Sequence, residues 1–305
     1  MNDIVEAPSS RSRSRLPSWL MALRPQHWVK NVLVIIPLAA AHQLGDLALR
    51  ARVAMAFAAF SLCAAGQYVL NDLFDLEADR GHPSKRERPL ASGELSRTAA
   101  VTMIAVTWLG AAFIAAQLGW VFSAVLAAYV LLMIAYSMRL KHVVLLDAVL
   151  LAVGYSARVA AGAAAVAIRP SPWLIALCLF LFYSLALIKR YAELTHNRDR
   201  QGPSAHARGY EAIDLPIIAT FGIASGYLAV LVLAMYLTSS RGPSRLYSQP
   251  SFIALTAVLL LYWISYLWLV ANRGHMPEDP VLFALRDGRS RVLVVLMGIC
   301  AWLAV

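Results

Sequence analysis

Apolar residues run along this chain in long blocks, and polar residues gather in the gaps between them. No period of two and no heptad organises the blocks, so they read as helices that are apolar on every side. Crossing a bilayer core of about 30 Å takes roughly 17–25 helical residues. Nine blocks suit that length, at 29–46, 53–70, 98–116, 119–137, 143–168, 172–188, 214–237, 251–271 and 291–305, the first and last only marginally. The pair within 98–137 is divided by nothing more than Gln117, Leu118, Gly119 and Trp120. Open strands in lipid would leave backbone groups unpaired, so the expected class is all-α. The pattern predicts an integral membrane protein of about nine transmembrane helices.

The gaps then fall alternately on two sides. One side holds the N-terminus and the stretches 71–97, 138–142, 189–213 and 272–290, with about 21 of the 27 Lys and Arg residues. Opposite lie Arg50, Arg52, Arg169, Arg241 and Arg245, while Arg158 sits inside a block. An excess of Lys and Arg marks the cytoplasmic face, so the N-terminus and those loops are expected inside a plasma (inner) membrane, with the C-terminus outside. Nearly all the acids share that face, and Asp46 alone is on the outer one.

Composition agrees: 60% of residues are hydrophobic, 14% are charged and the mean hydropathy is +0.63, against about 25% charged in soluble domains. The net charge of +10 is explained by the topology rule and by anionic inner-leaflet lipid, and calls for no nucleic acid. Cys63, Cys178 and Cys300 each lie in an apolar block without paired spacing, which excludes a disulfide framework. Residues 1–15, rich in Arg and Ser, are expected to be disordered, with no cleavable signal. Residues 16–305 read as one transmembrane domain opening on an interfacial stretch, with Trp19 and Trp28 at headgroup level. Lipid-facing and subunit-facing apolar surfaces look alike, so an oligomer is compatible with the pattern. The charged clusters after the second and sixth blocks lie four helices apart, a faint echo of a duplicated four-helix unit.

The first cluster is NDLFDLEADR, Asn71 to Arg80. If the preceding helix continues through it, Asp72, Asp75 and Asp79 stand at i, i+3 and i+7 and share one face, where like charges repel unless a cation lies among them. Mg²⁺ suits such oxygen donors and usually bridges to substrate phosphates; Asn71 adds an amide on the same face. Gly81, His82, Pro83 and Ser84 turn the chain, and Lys85, Arg86 and Arg88 follow as phosphate partners. Spacing alone also suits a solvated helix end of mixed charge. The coincidence of spaced carboxylates, turn and basic cluster favours a metal with a phosphorylated substrate.

The string resembles the NDxxDxxxD motif of the UbiA superfamily of intramembrane prenyltransferases, and RPLASGEL resembles the segment that follows it there. YSMRLK (Tyr136 to Lys141), Asp147 and ARVAAG around Arg158 extend the resemblance. RPQHWVKNVLV (Arg24 to Val34), HPSKRERPLASG, IKRYAEL (Ile188 to Leu194) and PEDPVLFALRD (Pro277 to Asp287) are similar to the decaprenyl-phosphate phosphoribosyltransferase branch. The resemblance implies a UbiA-like bundle with a cavity facing the cytoplasm, and Mg²⁺-dependent transfer of ribose 5-phosphate from phosphoribosyl pyrophosphate (PRPP) to a polyprenyl phosphate. It implies Asp72 and Asp75 as catalytic residues, and Asn71, Asp72, Asp75 and Asp79 around the metal. Lys30, Lys85, Arg86, Arg88, Lys141, Lys189 and Arg190 would meet phosphates, supported by Tyr191, Glu193, Asp147 and Arg158. One departure stands out. Prenyl-diphosphate users in the superfamily usually carry a second aspartate-rich motif, where this chain has Lys189, Arg190, Tyr191, Ala192 and Glu193, with Asp199 beyond. A prenyl transfer to an aromatic or other acceptor is the alternative that shares the first cluster.

Several of these residues have plainer readings. Lys30 could snorkel, and Lys189 could pair with Glu193 one helical turn away. Asp147 could face Lys141 or its own helix N-terminus. Arg158, deep in a block, calls for a cavity or a buried acid. His82 and His142 lack a second histidine at ligand spacing, so no zinc site is expected. A transporter would place its ionisable groups near mid-membrane, whereas here they crowd one face.

Overall fold

The computed structural model describes residues 17–81, 85–199, 209–238, 248–277 and 279–304. The expected disorder of residues 1–15, the turn at His82 to Ser84 and the middle of the second charged loop lie outside the described residues. Among those described, every regular element is helical: α1 (Ser18–Leu23), a 3-10 segment (Pro25–Ile35), α2 (Ile36–Ala40), α3 (Leu47–Phe74), α4 (Leu76–Arg80), α5 (Arg97–Leu118), α6 (Trp120–Met138), α7 (Leu146–Ala165), α8 (Pro172–Asp199), α9 (Leu215–Thr238), α10 (Pro250–Asn272), α11 (Pro280–Arg286) and α12 (Gly288–Leu303).

Seven of these, α3 and α5 to α10, are long and apolar enough to cross a membrane. The two marginal blocks differ from expectation. Residues 29–46 do not make one α-helix: Arg24 takes a left-handed conformation (φ 50°), and the chain continues as the 3-10 segment and then α2, with Pro25 and Pro37 at the two element starts. Proline has no N–H to offer a preceding turn, which favours such breaks. The segment instead wedges into the bundle, burying Val34 and Leu38. Gly162 of α7 makes this possible, since a Cβ there would stand 2.1 Å from the Val34 carbonyl oxygen. The last block becomes α12, whose 16 residues span only about 24 Å.

Elsewhere the chemistry of the caps explains the boundaries. Asp46 is the N-cap of α3 and accepts from Ala48 N at 2.8 Å and Leu49 N at 3.1 Å. Gly119, at φ 107°, makes the whole break between α5 and α6. Arg52 donates to Leu118 O at 2.9 Å and Ala165 O at 2.6 Å, so one cation closes the C-terminal ends of both α5 and α7.

The interior holds two large apolar cores that meet at α7 and a small third one around Val69, Leu76 and Leu90 beside the motif. One gathers side chains of α3, α5, α6 and the second half of α7, around Phe60, Phe122 and Tyr129. The other joins α7 to α8, α9, α10 and α12, around Ile188, Ile264 and Leu267. α3 packs closely on α5, and α8 on α9. α3 and α8 each contain 28 residues and reach about 42 Å, some 12 Å more than the hydrocarbon core. Each is therefore long enough to carry its charged cluster past an apolar slab of that thickness.

Candidate active site

The α3 helix runs to Phe74, and Asp75 (φ −90°, ψ 6°) marks a slight break before α4. Backbone bonds Asp75 N to Asn71 O (2.9 Å) and Asp79 N to Asp75 O (2.8 Å) carry the helical register across it. The i, i+3, i+7 face therefore persists, and three of the four carboxylates turn inward. Glu77 points out to Arg80 and Arg97 in exposed pairs, which stabilise little.

Asp72 and Asp79 are buried, and their oxygens converge on a single nitrogen, Nη1 of Arg88, at 3.0 and 2.6 Å. Arg24, delivered by its left-handed turn, donates to Asp72 Oδ1 at 2.6 Å. Asp75 takes Lys141 Nζ on Oδ1 at 2.6 Å and Asn71 Nδ2 on Oδ2 at 3.0 Å. A cavity of about 350 Å³ opens here, lined by Arg24, Gln26, His27, Asp72, Glu87 and Arg88 among others.

Among the described residues, no three His, Cys, Asp or Glu side chains gather closely enough to hold a metal. The arrangement is two carboxylates aimed at one cation. That donor set fits Mg²⁺, which is usually held by one or two carboxylates and completes its shell with substrate phosphates and water. Arg88 now stands between them.

A second polar cluster lies alongside. Lys30, expected to snorkel or to bind phosphate, turns inward onto Asp279, with its ammonium 5.9 Å from the centre of the Tyr155 ring. His27 Nδ1 is 3.8 Å from the same carboxylate, buried and without a hydrogen-bond partner. Burial first, then the charge of Lys30, pull His27 down to about 4, so it is neutral at pH 7. Burial pushes Asp279 up, but Lys30 outweighs it and holds the carboxyl below its ordinary range.

Other expected residues fall elsewhere. Lys85 and Arg86 are exposed on a short 3-10 turn, and of the basic trio only Arg88 reaches the carboxylates. Lys189 Nζ lies 4.0 Å from Glu193 Oε1. Arg190, expected on a phosphate, is committed to the protein. It is 1% exposed and donates to Asp147, to Glu193 and to Tyr136 Oη at 3.2 Å. Asp147 lies in the first turn of α7 and meets Arg190, not Lys141; its second oxygen accepts from Tyr210 Oη at 2.5 Å. Tyr191 donates to Asn272 at 2.9 Å.

Arg158 has no acid partner among the described residues. It donates to Asn31 Oδ1 (2.8 Å), Gly154 O (2.6 Å) and Tyr129 Oη (2.9 Å), and its guanidinium lies 4.8 Å from the Tyr129 ring centre. Asn31 passes the link to Ser61 of α3 at 3.2 Å, so Arg158 ties the 3-10 segment to the bundle.

Arg24, His27 and Tyr210 were not singled out by sequence reasoning, and Asp279 was given no role. A signal existed for Asp279: an Asp directly before Pro280 is an N-cap followed by proline at N1.

The UbiA prenyltransferase family model matches residues 31–303. The nodulation protein NoeC of Azorhizobium caulinodans is 37% identical over 277 residues, covering 90% of this chain and 89% of NoeC. The decaprenyl-phosphate phosphoribosyltransferase of Mycobacterium tuberculosis is 32% identical over 313 residues, covering 99% of this chain and 96% of the relative. An uncharacterised Sinorhizobium fredii protein, y4nM, is 33% identical over 290 residues; the match takes in 94% of this chain but only 55% of that longer protein. Among solved structures, a UbiA homologue from Archaeoglobus fulgidus bound to DMAPP and Mg²⁺ superposes with a TM-score of 0.69 at 16% identity, covering 93% of this chain and 99% of that one. Motif, helical bundle and family match converge: the chain is an integral membrane transferase belonging to the UbiA prenyltransferase family.

Proposed function

We propose that this enzyme transfers ribose 5-phosphate from PRPP to a polyprenyl phosphate of the decaprenyl type, releasing pyrophosphate. The observation that carries the reading is the number and spread of cations at one mouth. Arg24, Arg88 and Lys141 stand on the first cluster and Lys30 on the second, with Lys189, beside Glu193, near enough for its charge to act on Asp279. PRPP with a lipid phosphate presents three separate phosphate groups, whereas a prenyl diphosphate with a neutral acceptor presents one. The similarity to the mycobacterial phosphoribosyltransferase along nearly the whole chain supports the same reading.

Asp72 and Asp79, with Asp75 and Asn71 beside them, would hold Mg²⁺. When bound with the donor it neutralises the diphosphate and stabilises the departing charge. Arg24, Arg88 and Lys141 exchange their carboxylates for phosphate oxygens as substrate enters, with Lys85 and Arg86 at the rim. The lipid phosphate is already ionised at neutral pH, so no side chain has to remove a proton. One of its oxygens forms the bond to ribose C1 as the C1–O bond to pyrophosphate breaks, the electron pair leaving with pyrophosphate. The protein's work is orientation and charge placement, on loops that the positive-inside pattern puts at the cytoplasmic face.

The test is purified protein with radiolabelled PRPP, Mg²⁺ and a polyprenyl phosphate. Label in the lipid phase is expected. No label, together with transfer from a prenyl diphosphate, would replace this reading by the prenyl-transfer one, which NoeC and y4nM leave open.

A further inference from the structure

The cluster of Lys30, His27, Lys189 and Asp279 adjoins the motif carboxylates, with His27 lining the cavity over Asp72, and the acid that meets Lys30 comes from the far end of the chain. Asp279 has two tasks. Its Oδ1 accepts from Val281 N (3.1 Å) and Leu282 N (3.2 Å) and so caps α11, while Oδ2 takes the Lys30 ammonium. His27 Nδ1 faces Oδ2 from 3.8 Å, buried and with no hydrogen-bond partner. Lys30 lies 11% exposed, so its charge is answered inside the protein and not by water.

We propose that Asp279 is a built-in counter-anion seated in a second phosphate site, and that the acceptor's phosphate monoester displaces it. The proposal rests on the proposed function only for naming the acceptor. A carboxylate already bound to two helix N–H groups has one oxygen left for this seat, and that oxygen goes to Lys30. A phosphate monoester brings a further charge and three oxygens, enough to meet Lys30, the orphaned His27 nitrogen and Lys189 together. The ammonium that Asp279 releases is taken over by the phosphate, and no proton is transferred. Because the same side chain caps α11, displacement couples the arrival of acceptor to the loop that carries α11. The seat therefore discriminates by charge: a dianionic monoester competes with Asp279, whereas a neutral acceptor leaves the pair intact.

The substitution that isolates this is Asp279→Asn, because Asn caps helices about as well as Asp and removes only the competing charge. The measurement is binding of geranyl monophosphate to the full chain in detergent by titration calorimetry, with Mg²⁺-pyrophosphate as the reference ligand. Asp279→Asn is expected to tighten geranyl monophosphate about tenfold, as for a seat whose open fraction rises from roughly a tenth to nearly all, and to leave pyrophosphate within about twofold. Lys30→Gln is expected to abolish monophosphate binding in either background while retaining pyrophosphate. Unchanged or weaker monophosphate binding in Asp279→Asn overturns the proposal, as does equal tightening of both ligands. Binding is read without turnover, so failure to transfer ribose would sink the donor assignment and leave this result standing.

Discussion

Asp72 and Asp79 share one guanidinium nitrogen, and Asp75 shares its lysine with no other acid among the described residues. This division makes the three carboxylates unequal. Replacing Asp72 by Asn should lower turnover by a factor of about 10²–10³, the usual cost of losing one group that answers transition-state charge; unchanged gel filtration of the purified variant would show that the bundle persists. Turnover within a few-fold of the parent would remove Asp72 from the metal site. Arg190 makes the opposite case. Asp147, 0% exposed, would lose its cation in Arg190→Met and keep the Tyr210 hydroxyl, and breaking a buried pair costs about 3–5 kcal/mol. Thermal unfolding in detergent should show a clear drop, partly restored by adding Asp147→Asn. The motif spacing and the sign of Arg88 were readable along the chain because both concern neighbours in sequence. The partnerships Arg24–Asp72 and Lys30–Asp279 were not, since 48 and 249 residues separate them. Arg190 misled because a cation at a membrane surface looks the same whether its partner is a phosphate or a buried acid.

At the level of elements, the 3-10 segment is the part that hydropathy could not foresee. Apolar content says that a stretch is buried, and says nothing of the distortion imposed by Pro25, Pro37 and the packing of Val34 on Gly162. Arg158 then holds the segment through Asn31, so the position of Arg24, His27 and Lys30 depends on contacts deep in the bilayer. Gly162→Ala tests this. Its Cβ would collide with the Val34 backbone, and overpacking costs about 1–3 kcal/mol. Both a lowered melting temperature and weaker substrate binding are expected, although residue 162 touches neither substrate. A melting change without any change in KM would detach the segment from the site. The long helices were easier to foresee, and so was the α5–α6 break at Gly119, because length and a single glycine suffice to specify them.

For the whole molecule, orientation and metal dependence are the expectations that matter. A cysteine introduced at Arg86 should react with a membrane-impermeant thiol reagent only from the cytoplasmic side, and one at Arg50 only from the outside. The native Cys63, Cys178 and Cys300 are buried and give a low background. The reverse pattern would invert the topology read from the distribution of Lys and Arg. Treatment with EDTA should stop transfer without unfolding the protein, and added Mg²⁺ should restore it, because the helical cores contain no metal-dependent packing among the described residues.

The helices α3 and α8, 28 residues each, are long enough to lift the carboxylates and lysines to the depth at which lipid headgroups float. Under the proposed function the acceptor's phosphate resides there too, so it would reach the site by drifting sideways without its tail ever leaving oil. The search for acceptor is then two-dimensional, and the enzyme senses crowding in the leaflet. In nanodiscs of fixed acceptor mole fraction, diluting the whole suspension should leave the rate per enzyme unchanged, while diluting the acceptor with other lipid should lower it.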